Sequence, residues 1–206
     1  MTDKMIFTIG HSTHPLDRFI SLLQRHGITA VADVRSVPYS RINPQFNRET
    51  LQTALNSEGI AYVFLGKELG ARSNDPTCYI NGKVRYERLA ETDLFRSGIA
   101  RLQQGMSAYQ LALMCAEKDP LACHRTILVA RYLHQLGIQV KHILEDGRLE
   151  NHEEVIVRLT RQLRLPESDM FHSRDDITNE AYKIQAEKIA YEERKHEDIK
   201  HIAEKA

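Results

Sequence analysis

The stretch Tyr109-Gln110-Leu111-Ala112-Leu113-Met114-Cys115-Ala116-Glu117-Lys118-Asp119-Pro120-Leu121-Ala122-Cys123-His124-Arg125 decides the fold class. Residues 109–114 are a short apolar run bounded by Gly105 and a polar turn, as expected of a strand buried on both faces of a parallel sheet. Asp119 suits a helix N-cap and Pro120 the first helical position, because a carboxylate accepts from free backbone N–H groups and proline has none to leave unsatisfied. A helix is therefore expected over 120–136. Projected at 3.6 residues per turn, it puts Leu121, Leu128, Val129, Tyr132, Leu133 and Leu136 on one side, with Arg125 in their midst. A guanidinium there needs an anionic partner, either a carboxylate such as Asp33 or Glu117 or a bound ligand.

Outward from this stretch, short β-rich runs alternate with helical patterns. Strands are expected over 5–9, 30–34, 61–65, 109–114 and 139–144, and helices over 15–26, 48–58, 86–104, 120–136 and 152–163. Gly27, Gly59 and Gly137 each close a helical pattern just before a strand, where a left-handed cap suits glycine. The alternation implies an α/β fold: a Rossmann-like open, mostly parallel sheet flanked by helices, in one domain over 1–165. Residues 66–85, dense in Gly, Pro, Asn and Asp, read as a long loop, either a lid or a loosely ordered insertion. Residues 166–206 read as a helical extension. Its part beyond 175 lacks proline and glycine and mixes both charges, so a long exposed C-terminal helix is expected, packing on its own domain or pairing two copies as a homodimer.

A chain of 206 residues with 42% hydrophobic content can bury a real core, and 28 basic against 28 acidic residues give no overall drive toward nucleic acid or membrane. A local basic cleft stays open as a nucleic-acid site. No run approaches the roughly 20 apolar residues that span a bilayer, and the first residues lack signal-peptide character, so a cytoplasmic location is expected. There the three cysteines, Cys78, Cys115 and Cys123, are expected as thiols.

In open parallel sheets the ligand crevice lies at the carboxyl ends of the strands. Three such ends carry polar residues: Gly10-His11-Ser12-Thr13, Asp33-Val34-Arg35-Ser36, and Cys115-Ala116-Glu117. The first offers a glycine for close backbone approach and hydroxyls for an anion, without any phosphate-loop spacing. Asp33 and Arg35 share a face, Arg41, Lys67 and Arg72 add cations whose default is solvated surface, and Arg125 could hold a phosphate or carboxylate. Cys115 at the strand end is the candidate nucleophile, with His11 or His124 as base and Glu117 as orienter or acid–base group. Cys123, projected away from the Arg125 face, reads as a packed thiol. Cys115, Cys123, His124 and His11 also include zinc ligands, but seven residues between the cysteines match no common structural zinc pattern, so no metal is assigned.

The Thr8-Ile9-Gly10-His11-Ser12 opening, Asp33-Val34-Arg35 with Pro38 and Ser40-Arg41, and Cys115-Ala116-Glu117-Lys118-Asp119-Pro120 leading to Cys123-His124-Arg125 resemble the family called domain of unknown function 488. The resemblance covers roughly residues 5–165 and includes Val140-Lys141-His142-Ile143-Leu144 with Asp146-Gly147 as a closing strand and turn. It implies a compact α/β domain and names no reaction or cofactor. The residues point to a thiol-dependent hydrolase or transferase binding a small anion, with a nucleotide or nucleic-acid component as substrate. The alternatives are a non-catalytic module that binds a small anion or nucleic acid, and a Cys/His metal-binding protein.

Overall fold

Alternation of buried strands with amphipathic helices becomes an α/β layering in the computed structural model, which describes residues 5–166 and 173–193. In chain order the elements are β1 (Met5–Gly10), α1 (Leu16–Arg25), β2 (Ala30–Asp33), α2 (Arg48–Ser57), β3 (Ala61–Phe64) and the short α3 (Gly66–Leu69). Then come β4 (Tyr79–Ile80), β5 (Lys83–Val84), α4 (Tyr86–Glu91), α5 (Asp93–Gly105), β6 (Leu111–Cys115) and α6 (Arg131–Gln135). The last are β7 (Gln139–Ile143), β8 (Leu149–Asn151), α7 (His152–Gln162) and α8 (Arg174–Ile189). Among the described residues, one six-stranded sheet runs β3-β2-β6-β1-β7-β8, with every pair parallel except β7 with β8.

The centre of the sheet is β6, buried at every position, as its unbroken apolar run requires of a strand covered on both faces. Alternation splits the sheet's side chains between two cores. Leu111, Leu113 and Cys115 join Ala30, Ala32 and Val34 on one face, whereas Ala112 and Met114 join Phe7, Ile9 and Val31 on the other. Registers of Gly10 with Cys115 and Asp33 with Met114 bring the ends of β1, β2 and β6 to one edge.

Four expectations change. The pattern over 86–104 is two helices, because Thr92 turns extended and caps α5 by accepting from the Phe95 N–H. The segment 66–85 is neither lid nor loose insertion alone: Asn81 and Gly82, both at positive φ, close the β4–β5 hairpin, the backbone that this dipeptide adopts at least strain. The antiparallel β8 lacks a clear apolar alternation and is missing from the expected strands. Finally, the C-terminal helix ends at Ile189, and residues 194–206, which the expectation included, lie outside the described residues.

That helix is not an exposed appendage. Ile177, Ala181, Tyr182, Gln185 and Ala186 are buried, and Gln185 donates to the Leu121 carbonyl at 2.6 Å. A chain of buried hydrogen bonds ties it to the sheet: Thr8 to His142 at 2.8 Å, His142 to His152 at 3.0 Å, and His152 to Tyr182 at 2.8 Å. Its apolar face is thus taken up by its own domain. Among the described residues no helix is long and apolar enough to cross a membrane.

Candidate active site

Past Cys115 the chain must reverse within a few residues, and it does so in three steps. Asp119 accepts from the Leu121 N–H and caps a single 3-10 turn, Pro120–Ala122. Cys123 is then extended (φ −137°, ψ 139°), and a π-helical turn, Arg125–Ala130, follows His124 before α6 begins. The capping role of Asp119 and Pro120 holds, but no α-helix opens there. This break overturns the projection that turned Cys123 away, since a residue ahead of the helix is not bound to its 3.6-residue period. Wide π turns are rare and often sit at functional sites.

The result is a buried group on one face of the sheet. Sγ of Cys115 lies 3.2 Å from Oε2 of Glu117 and 3.7 Å from Nδ1 of His124, and Sγ of Cys123 lies 3.9 Å from the same nitrogen. The Nε2–H of His124 donates to the Val34 carbonyl at 3.0 Å, which points Nδ1 at both sulfurs. Cys115, Cys123 and His124 are buried, while Glu117 stands at the exposed rim with its carboxyl end turned inward.

Electrostatics distinguish the two thiols. Burial opposes ionisation of Cys123, but the hydrogen bond from Cys115 and the charges of Arg125 and His124 outweigh it and hold Cys123 well below the ordinary thiol value. The backbone N–H of Arg125 also points at this sulfur, at 3.5 Å. Cys115 is pushed well above its ordinary value by its hydrogen bond to Cys123 and by burial. Of the two, Cys123 is the sulfur that ionises more readily, where the sequence had favoured Cys115. Burial and the Cys123 sulfur raise Glu117 above the usual carboxylate value. Burial lowers His124, yet contact with Cys123 prevails and raises it.

Arg125 is wholly buried, as its place in the apolar stripe implied, and its partners among the described residues are backbone carbonyls and not a carboxylate. Its guanidinium donates to the Glu117 carbonyl at 2.6 Å and the Lys118 carbonyl at 3.2 Å, pinning the loop that carries Glu117. It presents no surface to a bound anion. Gly10 shapes the same loop from β1: a Cβ there would lie 1.9 Å from the Glu117 carbonyl oxygen. The close approach foreseen at this glycine is to the protein's own backbone. Gly10→Ala is expected to cost about 2 kcal/mol, since overpacking against backbone cannot relax cheaply, and urea unfolding of the two proteins measures it.

His11, Asp33 and Arg35 form a second group. In register, Gly10 shares its face with Cys115, so His11 turns to the other face, where it stacks on Phe46 at 4.3 Å. Its Nε2 accepts from Arg35 at 3.1 Å, and its Nδ1 donates to the Ser12 carbonyl at 2.9 Å. Burial and the Arg35 charge lower it to about 4, so it is a neutral acceptor for a guanidinium and not a base for Cys115. Arg35 is further held by both oxygens of Asp33 and by the Phe46 carbonyl, and the Tyr62 hydroxyl donates to Asp33 at 2.8 Å. Nearly all its N–H groups are thereby satisfied within the protein, which makes the pair a clamp between loops. Ser12 is half-buried with positive φ, and Arg41 is exposed in the loop between β2 and α2.

The strand ends thus converge on one edge, but they split into a sulfur–imidazole–carboxylate group and an Asp33–Arg35–His11 clamp on opposite faces. Of the candidate group, sequence reading set aside only Cys123 as a packed thiol, while counting it among the possible zinc ligands; its neighbour His124 was the available signal. Neither the curated proteins nor the solved structures contain a match to the chain. A family model described as "Domain of unknown function DUF488" matches residues 15–133, which hold the clamp's Asp33 and Arg35 and the whole sulfur–imidazole group. The chain belongs to this DUF488 family.

Proposed function

We propose that the protein is an enzyme whose chemical centre is Cys115, Glu117, Cys123 and His124, performing hydrolysis or group transfer on a small substrate that enters past Glu117. One observation carries the reading: a rim carboxylate sits 3.2 Å from a buried sulfur that also faces an oriented imidazole. Packing alone gains nothing from placing these polar groups together in a core, and the interrupted helix that creates the arrangement sacrifices regular hydrogen bonding. Glu117 is positioned to move a proton between solvent and the buried group. Arg125 and Gly10 act as positioning residues for its loop. Nucleotides and nucleic-acid components are the first substrates to try, because the loops that follow β2 and β6 carry the exposed cations Arg41 and Lys118, the latter paired with Glu145 at 3.0 Å.

A hydrolysis screen over nucleotides, nucleosides and their phosphate esters and amides tests this. Wild type is expected to turn over at least one compound, with Glu117→Gln slower by about 100-fold or more at unchanged thermal stability. Equal rates for the two proteins on every compound turned over, or neither turnover nor a thermal shift with any compound, would remove the assignment.

A further inference from the structure

We propose that Cys115, Cys123 and His124 form a binding site for a thiophilic divalent metal ion, zinc in the first instance, with Glu117 beside its open position. The binding claim stands on geometry, and its catalytic meaning rests on the reading of this group as the chemical centre.

The two Sγ atoms and Nδ1 all lie within 4.8 Å of one another. Tetrahedral zinc, with Zn–S about 2.3 Å and Zn–N about 2.0 Å, spaces sulfur and nitrogen roughly 3.6 Å apart. The observed separations, 3.7 and 3.9 Å, need only a small contraction. Two sulfurs at nearly equal range from one inward-facing nitrogen is the arrangement that a shared cation would hold together. The Val34 carbonyl holding Nε2–H is the outer-shell contact that fixes a ligating imidazole's tautomer and direction.

Two thiolates and one imidazole favour zinc over magnesium or calcium, and a dication with two thiolates sums to zero charge, which suits a buried site. The spacing of the cysteines remains unlike a structural zinc motif because the ligands come from a strand end and from the break after a 3-10 turn. Three protein ligands with a fourth position open is the arrangement of catalytic zinc, whereas structural sites are closed. Glu117 follows Cys115 by two residues, the same ligand-x-Glu spacing by which zinc deaminases place their acid–base glutamate, though that parallel concerns chemistry and not fold. The reaction class is then hydrolysis. Glu117 takes a proton from water, the water oxygen bonds to the substrate's electrophilic atom, and the leaving group departs with that proton; nothing is oxidised or reduced.

Titration of the full-length, tag-free protein with cobalt(II) is the test, with zinc competition as the second reading. The expected result is one tetrahedral cobalt per chain with a thiolate-to-cobalt charge-transfer band, displaced by one equivalent of zinc. Cys123→Ser and His124→Ala should each weaken binding by at least about 100-fold, the upper end of what even an outer-shell loss costs. Cys78→Ser should leave the band unchanged. Absence of the band in folded wild type, or its persistence in a folded Cys115→Ser/Cys123→Ser variant, overturns the site. Because the wild-type titration needs no variant to fold, misfolded mutants cannot hide a negative. Cobalt binding with Glu117→Gln fully active would sink the proposed function and leave the metal site standing, while a Glu117-dependent turnover without any metal band would do the reverse.

Discussion

Replacing Arg125 by alanine is expected to lower the free energy of unfolding by about 3–5 kcal/mol, the range for deleting a large buried side chain together with its buried hydrogen bonds. Arg125 is fully buried, and its guanidinium donates to the Glu117 and Lys118 carbonyls. Truncation leaves a cavity beneath β6 and two carbonyls without their donor. Arg125→Met separates the two causes. It refills most of the volume but restores no hydrogen bond, so it should recover part of the loss and not all of it. Urea midpoints for the three proteins decide the matter, with unchanged slopes showing that only stability moved. A midpoint for Arg125→Ala within error of wild type would mean that the loop holds itself in place. Methionine should also loosen the Glu117 loop, so an activity once found should fall in Arg125→Met even where the fold survives.

Mild acid should weaken the fold steeply. His142 and His152 are buried in the chain of hydrogen bonds joining β1, β7, α7 and α8. Burial, with each other's and neighbouring charges, keeps His142 well below 6.5, and burial followed by the His134 charge lowers His152 to about 3. Folded values below the unfolded 6.5 mean that the stabilisation is complete above about pH 6.5 and is lost as pH falls, by about 1.4 kcal/mol per unit for each group. Between pH 6.5 and 5 the pair should therefore cost about 3 kcal/mol, a large share of a domain's usual stability of about 5–15 kcal/mol. His124, raised in the folded chain, works in the opposite sense and returns part of this. His11, lowered to about 4, adds a contribution of the same sign as the pair. Urea unfolding at pH 7, 6 and 5 reads the slope, and His152→Gln should reduce it by roughly a third. A flat profile would show that the pair is protonated in the fold.

The order of strands and helices was legible because each signal was local. Buried strands such as β6 read as continuous apolar runs, Gly27, Gly59 and Gly137 mark helix ends where their φ is indeed positive, and Asp119 and Pro120 mark the turn they cap. Failures came where a local rule met a competing one. The apolar period over 86–104 hid the capping threonine, and Asn81-Gly82 was read as loop although it is a hairpin turn. Most of the candidate site was equally visible: Cys115, Glu117, His124 and Arg125 were named because chemically active residues clustered after a buried strand.

By itself, the sequence determined the α/β layering, the sheet edge at which reactive residues gather, and the burial of Arg125, since each follows from periodicity and from short-range turn chemistry. Tertiary structure alone decided partners and faces. A one-residue step along β1 sends His11 to the side opposite Cys115, and a three-residue turn followed by one extended residue swings Cys123 back toward the strand end. Such outcomes depend on register and on where a helix truly begins, quantities that the free energy of the whole packed chain sets and that no window of residues contains.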